Sequence, residues 1–175
     1  DRAILELGEE GITVVRPQVG VMIEVPATIY QMDALAKRVD FFSVGSNDLT
    51  QYLLAVDRNN PRVSSLYDAL HPALLGALLE LANDATRLKK PISLCGELAG
   101  DPAGALLLMA MGFTSLSMNA PSLPKVRAAI RRVPLSDAEK LLKEVMELDT
   151  PAQVHTHLEG RMDEWQLSHL MPPRD

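Results

Sequence analysis

Seventeen lysines and arginines against twenty-three aspartates and glutamates leave this 175-residue chain with a net charge of −6, while 47% of its residues are apolar and 23% charged. That balance excludes an intrinsically disordered chain and argues against both a nucleic-acid-binding face and attraction to an anionic membrane. The longest apolar stretch, Ala103–Met111, stops at Gly112, so neither a bilayer-spanning helix nor a signal peptide is expected.

The length fits one compact core. The lone cysteine, Cys95, has no intrachain partner and suits a reducing, cytosolic compartment. The chain begins at Asp1 and runs directly into a helix-like stretch, Arg2–Gly8, which reads as an element cut into, as in a piece of a longer protein.

Val19–Val25 is a β-rich apolar run closed by Pro26 and is expected to be a buried strand. From Ala27 to Arg38, Ile29, Met32, Leu35 and Ala36 recur at helical spacing. The pattern then repeats, with a strand over Phe41–Val44, a polar turn over Gly45–Asp48 and a short helix over Leu49–Ala55. After the loop Asp57–Pro61, His71-Pro72 starts a long helix ending near Leu88, with Lys89 and Lys90 at its negative end. Ile92–Cys95 is the third strand, and Asp101-Pro102 cap a helix that ends at Gly112. Phe113–Met118 is the fourth strand, and a helix from about Pro124 stops before Pro134. Capping boxes at Ser136–Glu139 and Thr150–Gln153 announce two further helices outside the sheet.

Four strand–helix units with apolar strands define an α/β fold with a parallel sheet. Four units do not close an eight-stranded barrel, so either a doubly wound sheet or half a barrel is expected.

The polar residues that interrupt the apolar runs, Glu24, Asn47, Asp48, Cys95 and Glu97, fall at or just past strand C-termini, the edge where βα folds build active sites. A carboxylate between Ile23 and Val25 is costly to bury unless paired or bound to a metal. Glu24 and Asp48 at corresponding points of neighbouring strands suit Mg²⁺, which accepts two carboxylates with waters and substrate oxygens. A salt bridge at Glu24 and a helix cap at Asn47/Asp48 account for the same residues without a metal.

Cys95 is readable either as a small buried hydrophobe or as a proton donor, because a thiol is mostly protonated at pH 7. Arg58 is suited to a phosphate or carboxylate, or to a plain surface position. His71 reads as a helix start, and His155 and His157, two apart, face different ways, so zinc spacing is absent. Dinucleotide, nucleoside-triphosphate and serine-hydrolase signatures are also missing.

Taken together, Gly20-Val-Met-Ile-Glu-Val-Pro26, Phe41-Phe-Ser-Val-Gly-Ser-Asn-Asp-Leu-Thr-Gln51, Asp57-Arg58 and Leu94-Cys-Gly-Glu-Leu-Ala-Gly100 resemble the phosphoenolpyruvate-utilising enzymes. That family includes enzyme I of the phosphotransferase system, pyruvate phosphate dikinase and phosphoenolpyruvate synthase. The resemblance runs from about Val19 to Arg132. The segments Asp57–Pro72 and Leu116–Pro124 resemble enzyme I, in particular its nitrogen-type paralogue, which carries an expectation of a role in nitrogen regulation.

The resemblance implies that residues 1–133 form the C-terminal half of a phosphoenolpyruvate-binding (βα)8 TIM barrel and residues 134–175 a helical extension. It implies Glu24 and Asp48 as Mg²⁺ ligands, Asn47 and Arg58 as substrate-phosphate contacts and Cys95 as the proton donor. It further implies a homodimer that passes phosphate from phosphoenolpyruvate, through a histidine on a domain outside this chain, to a histidine-containing phosphocarrier protein, releasing pyruvate. The chain alone is then expected to be inactive. The alternatives are a dikinase or synthase, which would deliver phosphate to a nucleotide, and a non-catalytic regulatory scaffold.

Overall fold

The computed structural model describes residues 1–171. After helix α1 (Arg2–Glu9), four strands follow in chain order: β1 (Gly20–Ile23), β2 (Phe41–Gly45), β3 (Ile92–Cys95) and β4 (Ser115–Ser117). They form one sheet in the order β1-β2-β3-β4, with every pair parallel. A doubly wound sheet reverses its strand order at a switch point. The unreversed order here is that of half a βα barrel, in which right-handed crossovers place all the helices on one face.

The register shows which face that is. Ile23, Val44, Leu94 and Leu116 lie side by side across the sheet. The first three are fully buried and belong to a continuous core with the helices. The adjacent row, Met22, Ser43, Ser93 and Ser115, points the other way, because side chains alternate along a strand. Met22 there is 44% exposed. The expectation of a buried β1 is therefore corrected: one face is buried under helices, and the other is open and lined mainly by serines.

The β1–β2 connection is a 3₁₀ turn (Pro26–Gln31) followed by a short α2 (Met32–Ala36), in place of the single helix expected over residues 27–38. The Thr28 backbone N–H and hydroxyl both donate to Val25 O, at 2.9 and 2.6 Å, and these three-residue bonds tighten the first turns. The polar turn expected over residues 45–48 is absent, since α3 (Ser46–Leu54) starts directly after β2.

Helix α4 (Pro72–Arg87) opens as expected, with His71 Nδ1 accepting from the Ala73 N–H at 3.1 Å. After β3 comes a one-turn helix, α5 (Glu97–Gly100), that periodicity did not reveal. Next is α6 (Pro102–Met111), capped by Asp101 and closed by Gly112. Helix α7 (Leu123–Arg132) precedes α8 (Leu135–Val145), whose predicted capping box at Ser136 does not form. Instead the Pro134 carbonyl accepts from the Asp137 and Ala138 N–H groups, which places Ser136 inside the first turn. The box on α9 (Pro151–Glu164) does form, with Thr150 and Gln153 each satisfying the other's backbone N–H.

Helix α6 is buried along nearly its whole length, and α8 and α9 add Leu141, Val145, Val154, Leu158 and Met162 to the same core. Burial raises the Asp101 carboxyl above its ordinary value of 3.8, against the opposing effect of the Gly104 and Ala103 N–H groups and of His155. The folded chain thus holds this proton more tightly than the unfolded one, and stability falls as pH rises from 3.8 toward the raised value. Asp101→Asn keeps the cap without the titration. Urea midpoints measured across that pH window are expected to fall less steeply in the variant than in the parent.

Candidate active site

The C-terminal edge of the sheet gathers the residues that the sequence singles out. Glu24 follows β1, Asn47 and Asp48 lie in the first turn of α3, and Cys95 is the last residue of β3. Arg58 returns over the same edge from the loop after α3. Because α3 begins without an intervening loop, Asn47 and Asp48 stand at the strand end itself.

Gly45 makes room for Glu24. A Cβ on Gly45 would lie 2.8 Å from Glu24 Cγ and 2.9 Å from its Oε1, so the Glu24 side chain rests over the bare end of β2. Asp48 lies three residues further on. Its Oδ1 is 3.4 Å from Arg58 Nη2, in a pair that is partly open to solvent. Arg58 is also anchored through its backbone N–H, which donates to Gln51 Oε1 at 3.3 Å. Its Nη1 is buried and has no hydrogen-bond partner.

Two bonds stitch the start of α3 to the end of β3 and the first residue of α5. The Ser46 hydroxyl donates to Cys95 O at 3.1 Å, and the Glu97 N–H donates to Asn47 Oδ1 at 3.0 Å. The second bond uses the carbonyl end of the Asn47 amide, which leaves its NH₂ end as the donor for a further acceptor. Gly96, at φ +136°, permits this approach, because a Cβ there would run into Ser46 Oγ and Asn47 Oδ1. Gly96→Ala is expected to cost about 1–3 kcal/mol of stability, from the sum of a left-handed backbone and a steric clash. A lowered denaturation midpoint would report it.

Cys95 lies on the open face, where its Sγ is 4.0 Å from Met22 Sδ. This favours the reading of an accessible thiol over that of a core hydrophobe.

Beside the site, Tyr67, Asp68, Glu97, Asp101 and His155 line a cavity of about 330 Å³. The Tyr67 hydroxyl donates to Asn47 O at 3.5 Å. Sequence reading missed Gly45, Ser46, Tyr67 and the structural use of Gly96. Only the glycines carried a signal, since each directly follows a strand expected from the sequence, Phe41–Val44 or Ile92–Cys95. His71 serves as a helix cap, and His155 and His157 each pair with a carboxylate, Asp68 and Glu144. Among the described residues, no group of three or more His, Cys, Asp or Glu side chains is placed to hold a metal.

Acids, an amide, an arginine and a thiol thus share the C-terminal edge of a half barrel, the edge on which βα-barrel enzymes build their sites. Residues 2–135 match the family described as PEP-utilising enzyme, PEP-binding domain, and the chain belongs to that family. It is 42% identical over 153 residues to the "Phosphoenolpyruvate-dependent phosphotransferase system" protein of Salmonella typhimurium, covering 87% of this chain and 20% of that protein. The protein of the same name from Escherichia coli is 43% identical over the same shares. The "Phosphoenolpyruvate-protein phosphotransferase" of Haemophilus influenzae is 44% identical over 142 residues, 81% of this chain and 25% of that protein. The chain thus spans between a fifth and a quarter of these relatives' length. Among the described residues, no helix is long and apolar enough to cross a membrane.

Proposed function

We propose that the chain is the C-terminal part of the phosphoenolpyruvate-binding barrel of a phosphoenolpyruvate-protein phosphotransferase, of the nitrogen-type enzyme I kind. Residues 1–133 belong to the barrel and residues 134–175 to its helical extension. The observation that carries this reading is the state of Arg58. One guanidinium nitrogen is spent on Asp48, while another is buried without a partner, and an arginine fork in that condition is suited to a phosphate oxygen.

The carboxylates fit a divalent cation of the Mg²⁺ type. Both are hard oxygen donors, Glu24 lies in space that a Cβ on Gly45 would fill, and Mg²⁺ completes its six ligands with water and substrate oxygens. Glu24 and Asp48 would hold it, and when bound it would offset phosphate charge and stabilise enolate oxygen.

The chain's own residues account for the remaining steps. The Asn47 NH₂ and the Arg58 guanidinium grip the phosphate and align it with an incoming histidine from a domain outside this chain. The phosphorus–oxygen bond to the enol breaks as the bond to histidine nitrogen forms, and the electron pair stays on the enolate. Cys95 then gives its thiol proton to the terminal carbon, which yields pyruvate, and the thiolate recovers a proton from solvent. The phosphohistidine next supplies a phosphocarrier protein. The same reading includes a homodimer working in the cytosol.

The test supplies the full-length polypeptide containing this segment with labelled phosphoenolpyruvate and Mg²⁺, and compares it with Asp48→Asn. Label on histidine that depends on Asp48 and passes to a phosphocarrier protein is the expected result. Passage to a nucleotide would move the protein to the dikinase and synthase branch. No Asp48-dependent label would leave a scaffold.

A further inference from the structure

We propose that Tyr67 is a positioning residue for Asn47 and Arg58, and that the contact between Asp68 and His155 holds it there, which makes helix α9 part of the phosphoenolpyruvate-binding apparatus. The inference rests on the reading of Asn47 and Arg58 as phosphate contacts.

The segment from Asp57 to His71 leaves α3, carries Arg58 across the strand ends and returns to α4. Near its far end, the Tyr67 hydroxyl donates to Asn47 O at 3.5 Å and faces the side chains of Thr50 and Arg58. Thr50 is fully buried, and its own hydroxyl donates to Ser46 O at 2.7 Å. The phenol therefore stands between the backbone that aims the Asn47 amide and the guanidinium that keeps an unpartnered buried nitrogen. Burial, together with the nearby Glu97 carboxylate, raises the Tyr67 phenol above its ordinary value, so it remains a donor at neutral pH.

Tyr67 has no regular element of its own to hold it, since it follows a single 3₁₀ turn (Ser64–Leu66). What fixes the segment is the next residue. Asp68 Oδ1 accepts from the Leu70 N–H at 2.8 Å and folds the loop on itself, while Asp68 Oδ2 lies 2.9 Å from His155 Nε2 on α9. His155 stands 87 positions away in sequence. Helix α9 is itself firmly seated, with Val154, Leu158 and Met162 in the core and its first turn locked by the Thr150–Gln153 box. One edge of the phosphate grip is thus braced against a helix that lies beyond the four βα units.

The test measures steady-state kinetics with phosphoenolpyruvate in the full-length polypeptide for Tyr67→Phe, His155→Ala, His155→Gln and, as a control on the site itself, Arg58→Ala. Tyr67→Phe is expected to raise KM for phosphoenolpyruvate about tenfold, the size of one lost bond near a charged group, with a smaller change in kcat and an unchanged thermal midpoint. His155→Ala is expected to raise KM in the same direction, and His155→Gln, which keeps a donor at the Nε2 position, to restore it. An unaltered KM in Tyr67→Phe, while Arg58→Ala is crippled, overturns the role of Tyr67. A loss in His155→Ala that follows the thermal midpoint, with no rescue by glutamine, overturns the role of α9. If Arg58→Ala is itself harmless, the reading of the phosphate site falls and this inference falls with it.

Discussion

Cys95→Ala in the full-length polypeptide is expected to slow pyruvate formation from phosphoenolpyruvate by about 10²–10⁴-fold, the usual contribution of a positioned general acid. The thiol is the last side chain of β3 on the open face of the sheet, close to Met22 and outside the helix-packed core. Removing it leaves that core intact, so the thermal midpoint should hardly move. The reverse direction gives a sharper signal. With pyruvate and phosphoenzyme in heavy water, the parent protein should exchange the methyl protons of pyruvate for deuterium, because under the proposed role the thiolate removes the proton that the thiol delivers in the forward direction. The alanine variant should lose that exchange by a similar factor, as followed by NMR. Deuterium entering at the parent rate would show that some other group carries the proton.

Arg58→Ala is expected to lower kcat/KM for phosphoenolpyruvate by about 10³-fold, at the low end of what an arginine stabilising a phosphoryl-transfer transition state supplies. The substitution removes the only cation paired with Asp48 among the described contacts and the buried guanidinium nitrogen left without a partner. On the proposed reading two effects combine: the phosphate loses a guanidinium donor, and Asp48 loses the charge beside it. Arg58→Lys should recover little, because a point charge does not reproduce the fork. Full activity in the lysine variant would show that charge alone matters at this position.

Much of this protein is readable before it folds. Glu24, Asn47, Asp48 and Cys95 declare themselves because a polar residue at the end of a short apolar strand has few structural reasons to be there. The structure places all four on one edge, with Arg58 beside them. The caps at His71, Asp101 and Thr150 were legible for a similar reason, since each works within three residues of itself. The box at Ser136 failed because Pro134, two residues earlier, already offered its carbonyl to the first turn. A local pattern does not rank two competing starts.

The sequence by itself determined the order of the four strands and of the longer helices between and after them, their parallel arrangement and the chemical character of the strands' C-terminal edge. Those features follow from periodicity, chain punctuation and the need of each strand to be followed by a crossover helix. The tertiary structure alone decided which face of the sheet is open, since alternation along a strand is the same whichever side the helices cover. It also decided that Glu24 lies over Gly45, that Asn47 binds the Glu97 amide 50 residues away, and that α9 reaches Asp68 through His155. Such contacts arise from strand register and helix packing, which bring together residues with no neighbourhood in sequence. Local propensity, acting over a turn or two of chain, carries no record of them.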